Sequence, residues 1–391
     1  MKEKIAFVVQ RYGMEVNGGA ELHCRQVAEK LSEYYEVDVL TTCALDYMTW
    51  KNYYVEGKEV INNVNVIRFK VDKERNVNRF NKLSEKILIN PSKNTYEENI
   101  EWMEEQGPVC NDLINYLKEN NKEYKSILFM TYLYWTTFWG LEVCPEKSIL
   151  IPTAHDEPPI YLNIFKEKFN APKFIAYNTW DEMEFVNKLF NNKSVNSDIF
   201  GVGVDLPENI KEVNIREKYN FSGDYILYVG RIDESKGCGE LFEYYLRYIK
   251  ETKRDIKLLL IGKAVMDIPK HKNIIPIGFV SDEDKFNAIK QSKFVVISSK
   301  YESLSMILLE SLKLNKPVVV NGNCSVLKTH CKRSNSGLYY QNYNEFREVL
   351  EFMFDNEKEY KLIGNNGSKY VDNNYDWNVI VDKFINSIDI I

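Results

Sequence analysis

One stretch limits the fold more than any other, Ser298 to Val320, Ser-Ser-Lys-Tyr-Glu-Ser-Leu-Ser-Met-Ile-Leu-Leu-Glu-Ser-Leu-Lys-Leu-Asn-Lys-Pro-Val-Val-Val. With Phe294 to Ile297 just ahead of it, the segment reads as strand, loop, helix, strand. Apolar runs such as Phe294 to Ile297 and Pro317 to Val320, without polar alternation, suit parallel strands buried on both faces. Between them Ile307, Leu308, Ser311, Leu312 and Leu314 recur near helical spacing, and Ser303 and Ser305 are good N-cap residues just before. The start of such a helix presents unpaired backbone N–H groups and a positive dipole end, a seat for phosphate. Glu302 in the loop and Glu310, about a turn and a half into the helix, bracket that seat. A phosphate flanked by carboxylates able to take hydroxyls points to a nucleotide sugar.

The same alternation runs through the chain. Ile5 to Val9 is a buried first strand; Gly18-Gly19 precedes a helix marked by Cys24, Val27, Ala28 and Leu31; Val37 to Leu40 is the next strand. This β-α-β opening lets a ligand approach the backbone at Gly18-Gly19, although a Gly-Gly pair alone also fits a tight turn. From Tyr53 to Lys70 strand-like pieces flank a turn at Asn62-Asn63, and residues 71–125 are polar and helical in pattern, with no chemical role assigned. Ser148 to Ile151 ends at Pro152-Thr-Ala-His155-Asp156-Glu157-Pro158-Pro159. Groups at the carboxyl end of a parallel strand face the ligand crevice, which makes His155 and Asp156 candidates. Phe174 to Tyr177 and Asp198 to Phe200 continue this sheet.

Gly201-Val-Gly-Val-Asp205-Leu-Pro207 reads as a domain boundary, followed by a second series of strands at Tyr225 to Val229, Leu258 to Ile261 and Ile274 to Ile277. The expectation is therefore an α/β protein of two Rossmann-like halves with a cleft between them. We place the N-terminal domain at 1–204 and the C-terminal domain at 205–374. The tail, 375–391, is an amphipathic helix with Trp377, Ile380, Val381, Phe384, Ile385 and Ile388 on its apolar face.

Composition narrows the chemistry. The 391 residues are 44% hydrophobic and 28% charged, enough for two separate cores. A net charge of −6 argues against nucleic acid as the main partner, since phosphate contacts want a basic face. Seven cysteines, an odd number with no Cys-x-x-Cys, argue against a disulfide framework or zinc ribbon and for a reducing cytoplasm. The chain opens directly on a strand, without a signal-peptide pattern. Ser126 to Leu141 is uncharged and aromatic-rich but shorter than the roughly 20 residues that span a bilayer; it reads as a buried strand and a packed helix start, with peripheral membrane contact left open.

Arg231 and Lys236 lie in a glycine-flanked loop after Tyr225 to Val229. Arginine offers a planar fork and lysine a point charge, the groups a diphosphate needs; alone, the loop also fits a solvated basic turn. Taken together, Gly-Gly-Ala-Glu21, then Tyr-Val-Gly-Arg231-Ile-Asp-Glu-Ser-Lys236-Gly, then Glu302 and Glu310 resemble the retaining glycosyltransferases of family four. The resemblance covers most of the chain. It implies the GT-B fold, two Rossmann-like domains facing across a cleft, with the C-terminal helix crossing back to the N-terminal domain. It also implies a diphosphate bound by Arg231 and Lys236, a donor sugar held by Glu302 and a ribose held by Glu310. His155 would lie by sugar and acceptor, and Gly18 and Gly19 over the diphosphate. Gly278, Phe279 and Val280 would read the base, and Ser303, Leu304, Ser305 and Met306 would form the helix tip at the phosphate. Many members have Glu-Gly-Phe-Gly where this chain has Glu302-Ser303-Leu304-Ser305, which bears on the identity of the sugar. Asp156, Tyr132 and Tyr134 are placed on the acceptor side.

The expected activity is thus transfer of a hexose-type sugar from a nucleotide-diphosphate sugar to a saccharide or lipid-linked acceptor. The configuration would be retained by front-face attack as the diphosphate leaves. No cofactor is expected. No Asp-x-Asp stands at a strand end, so divalent metal is not implied, and Cys324, His330 and Cys331 read as loop packing rather than zinc ligands. His23 and His271 read as core or solvated histidines. Two other readings remain: a non-catalytic nucleotide-sugar or carbohydrate-binding protein, and a nicotinamide-dependent oxidoreductase, which the missing Gly-x-Gly-x-x-Gly disfavours.

Overall fold

Strands without polar alternation become the sheet centres. In β1 (Lys4–Val8) every residue after Lys4 is buried, and β5 (Ser126–Met130) and β6 (Ser148–Ile151) are buried throughout. The computed structural model describes residues 2–16, 18–207 and 210–391. It divides into two units, Met1–Val202 with Asn378–Ile391, and Gly203–Trp377.

The first unit adds β2 (Glu36–Thr42), β3 (Gly57–Ile61), β4 (Val64–Phe69), β7 (Phe174–Tyr177) and β8 (Asn196–Ile199). Its strand order among the described residues is β3-β4-β2-β1-β5-β6-β7-β8. Every pairing is parallel except β3 with β4. That hairpin closes through Asn62 and Asn63 at φ 48° and 64°, the left-handed pair that a two-residue turn between twisted strands requires. Helices Val77–Leu88, Tyr96–Gln106 and Asn111–Asn120 occupy the polar 71–125 region, and their Trp102, Met103, Leu113 and Leu117 enter the core beside Phe129 and Phe165. The uncharged aromatic run is β5 followed by the buried helix Trp135–Gly140. Among the described residues no helix is long and apolar enough to cross a membrane.

The tail helix, Trp377–Asp389, joins this first unit from Asn378 onward. Ile380, Phe384 and Ile388 are fully buried. Phe384 sets its ring edge-on to Phe200 with centroids 4.7 Å apart, Lys383 donates to the Ile199 carbonyl, and Lys125 pairs with Asp389 at 2.7 Å.

The second unit holds β9 (Tyr225–Val229), β10 (Lys257–Ile261), β11 (Ile274–Gly278), β12 (Val295–Ile297), β13 (Val318–Asn321) and β14 (Gly337–Tyr340), all parallel in the order β11-β10-β9-β12-β13-β14. The order therefore reverses between β9 and β12, as it does between β1 and β5 in the first unit. Ligands of open parallel sheets bind outside the carboxyl ends of the strands at such a reversal. The helix Cys238–Thr252 covers one face, with Tyr248 fully buried and Leu246 only partly so.

Two histidines are part of this packing rather than of a site. His23 is buried, and burial pushes its pKa down to about 4. His330 is buried with Nδ1 3.0 Å from the Tyr370 hydroxyl, and burial likewise pushes it down to about 4. Among the described residues no cluster of three or more ligating side chains forms around it. Both folded-state values lie below the unfolded one, so the unfolded chain takes up protons that the folded chain refuses. The stability this provides is complete above pH 6.5 or so and is lost as pH falls toward about 4, at up to roughly 1.4 kcal/mol per pH unit for each histidine. Urea unfolding at pH 7 and at pH 4.5 measures it. The double variant His23→Gln, His330→Gln should lose less stability on acidification than the parent; an equal loss contradicts the assignment.

Candidate functional site

The loop after β9 is built around a carboxylate that sequence reasoning passed over. Asp233 accepts from Arg231 Nε, from the Ser235 hydroxyl at 2.8 Å and from the Lys236 backbone N–H at 2.8 Å. Burial alone would raise its pKa, but these donors outweigh it and hold the carboxyl below its ordinary range. The Tyr228 hydroxyl donates to the Arg231 carbonyl at 2.8 Å. At the loop's far end Gly237 has φ 71°, and a Cβ there would lie 2.2 Å from the Ser298 carbonyl oxygen. Only glycine permits that approach. Ser298, just past β12, returns a hydrogen bond from its hydroxyl to the Lys236 carbonyl at 2.8 Å.

Two strand ends adjoining at the reversal are thereby locked together, and their charged side chains meet. Lys236 Nζ donates to Glu302 Oε1 at 2.7 Å, with Lys236 about a third exposed and Glu302 mostly buried. Arg231 is in the same loop, tied to Asp233 and, through Nη2, to Ser235 at 3.3 Å. The helix after Glu302 runs Met306–Lys313. Here the expectation for the serines needs correcting. Ser305 occupies the N-cap position, yet its backbone is left-handed at φ 72° and its side chain caps nothing. A capping hydroxyl needs an extended backbone; the left-handed turn instead leaves Ser305 Oγ buried with no partner among the described residues. Ser303 is half-buried and Leu304 buried.

Glu310 lies on this helix and pairs with Lys285 Nζ at 2.9 Å. Burial lifts the Glu310 carboxyl above its ordinary value. Burial works against the Lys285 ammonium, but Glu310 and Asp282 outweigh it and raise its pKa. Lys285, on the helix Asp282–Gln291, carries no sequence signal that distinguishes it from other helix lysines. Gly278 ends β11 at φ 74°, Phe279 is exposed and Val280 half-buried. Gly262 donates its N–H to the Gly278 carbonyl at 2.8 Å, and a Cβ on Gly262 would lie 1.9 Å from the Gly230 carbonyl oxygen. The carboxyl ends of β9, β10 and β11 thus carry close-packed backbone.

In the first unit, Gly18 precedes the helix Gly19–Leu31, and a Cβ on Gly18 would lie 2.0 Å from the Glu21 carboxylate. Glu21 is buried and accepts from Gln10 at 2.9 Å and from Arg11 Nε at 3.0 Å; Gly19 faces open space. After β5 and β6 the backbone turns left-handed at two threonines, Thr131 at φ 71° and Thr153 at φ 51°. β-Branched residues pay for such conformations, which collect at functional sites. The Thr153 turn is held by Glu182, whose carboxylate accepts from the backbone N–H groups of Ala154 and Asn178. Burial pushes Glu182 up to about 8 against those donors. His155 Nε2 is 3.3 Å from Glu157, which also accepts from the Tyr132 hydroxyl at 2.8 Å. The structure therefore brings His155 and Tyr132 together through Glu157. Asp156 turns to the Tyr161 hydroxyl at 2.6 Å, and Tyr134 packs edge-on to Trp50 with centroids 5.5 Å apart. Glu157 was legible as part of the Pro152 to Pro159 segment; Glu182 shows only the Thr-x-x-Glu pattern of a helix start.

Residues 208–370 match the family described as Glycosyl transferases group 1. A protein named uncharacterized glycosyltransferase MJ1607, from Methanocaldococcus jannaschii, is 23% identical over 98% of this chain and 97% of its own length. The N-acetylgalactosamine-N,N'-diacetylbacillosaminyl-diphospho-undecaprenol 4-alpha-N-acetylgalactosaminyltransferase of Campylobacter jejuni is 25% identical over 49% of this chain and 53% of its own. Among solved structures, Alr3699/HepE of Anabaena in complex with UDP-glucose superposes with a TM-score of 0.69 at 12% identity, covering 99% of this chain and 100% of that one. The fold is GT-B, and the chain carries a glycosyl transferases group 1 domain.

Proposed function

We propose that this glycosyl transferases group 1 chain moves a hexose-type sugar from a nucleotide-diphosphate sugar to a saccharide or lipid-linked acceptor, with retention of the anomeric configuration. The observation that carries the reading is the Lys236–Glu302 pair at the strand reversal of the second unit. Cleaving the anomeric C–O bond leaves both electrons on the departing diphosphate while the sugar gains oxocarbenium character. Arg231, Lys236 and the N-terminus at Met306 would stabilise the negative charge, and Glu302 would hold sugar hydroxyls while facing the positive ring. Glu310, fixed by Lys285, would take the ribose, and Gly278 to Val280 the base. Front-face attack would hand the acceptor's hydroxyl proton to the leaving diphosphate oxygen. His155, Asp156, Tyr132 and Tyr134 would serve the acceptor, with Gly18 and Gly19 leaving room for phosphate.

The reading needs no divalent metal, because side-chain cations take that role. It places the chain in the cytoplasm, peripheral to the membrane where the acceptor is lipid-linked. The diphospho-undecaprenol acceptor in the name of the Campylobacter relative and the UDP-glucose bound to the Anabaena structure support these substrate classes. A thermal-shift screen of UDP-, GDP- and ADP-sugars, with and without EDTA, tests it. One donor at about 100 times its Kd should add about 2.7 kcal/mol of stability whether or not metal is chelated. Donor hydrolysis should follow in long incubations. Stabilisation by none of them would remove the donor site.

A further inference from the structure

The polar 71–125 region, to which the sequence assigns no role, forms one wall of a pocket. A cavity of about 280 Å³ in the first unit is lined by Tyr47, Arg75, Phe80, Asn81, Gln106 and Tyr134, among others. Three aromatic rings, two amides, one cation and the aliphatic side chains of Met48 and Val77 make up this lining. That is a few fixed polar groups among apolar walls, in a volume near the roughly 300 Å³ lower end of small-molecule sites.

The cation is unusual in its company. Arg75 donates Nη1 to the Tyr47 carbonyl at 3.0 Å, and Nη2 donates both to the Gln106 backbone carbonyl and to the Gln106 side-chain oxygen, the latter at 3.1 Å. Its guanidinium lies 4.9 Å from the Trp50 ring centre and 4.3 Å from that of Phe80. Among the described residues it makes no ion pair, and its Nε is buried without a hydrogen-bond partner. The acids nearby are engaged elsewhere. Glu105 pairs with Lys73 at 2.6 Å and with Arg79 at 3.3 Å. Asp46 accepts from the Thr49 hydroxyl at 2.6 Å and from the backbone N–H groups of Met48 and Thr49. Burial pushes the Arg75 guanidinium down to about 10, outweighing the pull of Asp46 and Glu105, neither of which pairs with it directly. A half-buried cation of this kind is stabilised by an anion arriving from outside.

We propose that this pocket binds a sugar residue bearing an anionic group, a carboxylate or a phosphate ester, on the acceptor. The inference rests on reading the first unit as the acceptor side. Arg75 would meet the anion with its unused donors, Tyr47, Phe80 and Tyr134 would lie against the sugar ring, and Asn81 and Gln106 would take hydroxyls. The pocket adjoins the Gly18 turn: the Arg11 guanidinium, held by Glu21, lies 5.5 Å from the Tyr47 ring centre.

Calorimetric titration of the full chain with methyl glucuronide, glucose 6-phosphate, methyl glucoside and inorganic phosphate tests the inference and tells the two anions apart. One of the two anionic sugars should bind about tenfold or more tighter than the neutral glucoside, and tighter than inorganic phosphate. Arg75→Gln should abolish that preference. Because Arg75 also ties two backbone segments together, Asn81→Asp serves as the second variant. Asn81 is exposed on its helix, so the new carboxylate should repel the ligand without unfolding the chain. Equal binding of the neutral sugar, equally tight inorganic phosphate, or an Asn81→Asp variant that binds as the parent does would each overturn the proposal. Titration with the nucleotide sugars separates the two readings. If donors bind and anionic sugars do not, the pocket proposal falls alone; if the reverse holds, the donor reading falls and the pocket remains a carbohydrate site.

Discussion

Replacing Lys236 with alanine lowers transfer turnover by roughly 100-fold or more, the loss expected when one donor aimed at developing negative charge is removed. The loop should survive the change, because its geometry does not depend on the ammonium. Asp233 holds the Lys236 backbone N–H and Ser298 holds its carbonyl, and both bonds persist in alanine. What changes is electrostatic. Glu302 loses its cation and the leaving diphosphate loses a counter-charge. If the charge acts in the transition state, the loss lies in kcat more than in KM; a rise in KM with kcat unchanged would mean that Lys236 only binds donor uniformly. Unchanged turnover, in a variant whose unfolding curve matches the parent, would take Lys236 out of the mechanism.

Gly237→Ala should produce a comparable loss by a different route. The alanine Cβ would have to share space with the Ser298 carbonyl oxygen, 2.2 Å away, on a backbone at φ 71°. The obstacle is backbone rather than a flexible side-chain tip, so the loop must move off the end of β12. Left-handed strain alone costs of order 1–3 kcal/mol. A displacement of about 1 Å at a charge-positioning group can lower turnover about 100-fold. The expected result is a lower melting temperature together with a kcat deficit approaching that of Lys236→Ala. The two variants combined should lose little more activity than either alone, since both remove the same ammonium from the same place. Fully additive losses would show that Gly237 acts elsewhere.

The alternation of strands and helices was legible because buried parallel strands leave an unmistakable apolar run. Tyr225 to Val229 and Phe174 to Tyr177 have the boundaries that composition suggests. The Asn62-Asn63 turn was legible for the same local reason, as asparagine tolerates left-handed backbone. The cap expected at Ser305 does not form. Its sequence context is that of an ordinary N-cap, and only the folded backbone, at φ 72°, shows the turn to be left-handed. Arg75 gives the opposite case. In sequence it stands among Lys73, Glu74 and Arg79, an apparently solvated charge run, and nothing there announces that nearby acids turn to other partners.

What the residues determined alone is whatever depends on near neighbours: strand and helix period, glycine-marked strand ends, and the loop in which Arg231 and Lys236 fall together. Tertiary structure decided which of these ends meet. Lys236 reaches Glu302 across 66 residues, and Lys285 reaches Glu310 across 25. The physical reason lies in the parallel sheet, where adjacent strands are far apart in sequence and each crossover returns the chain to the same edge. Periodicity records which face of an element is buried; it holds no record of which strand lies beside it, and the charge partners of the site are set by that adjacency.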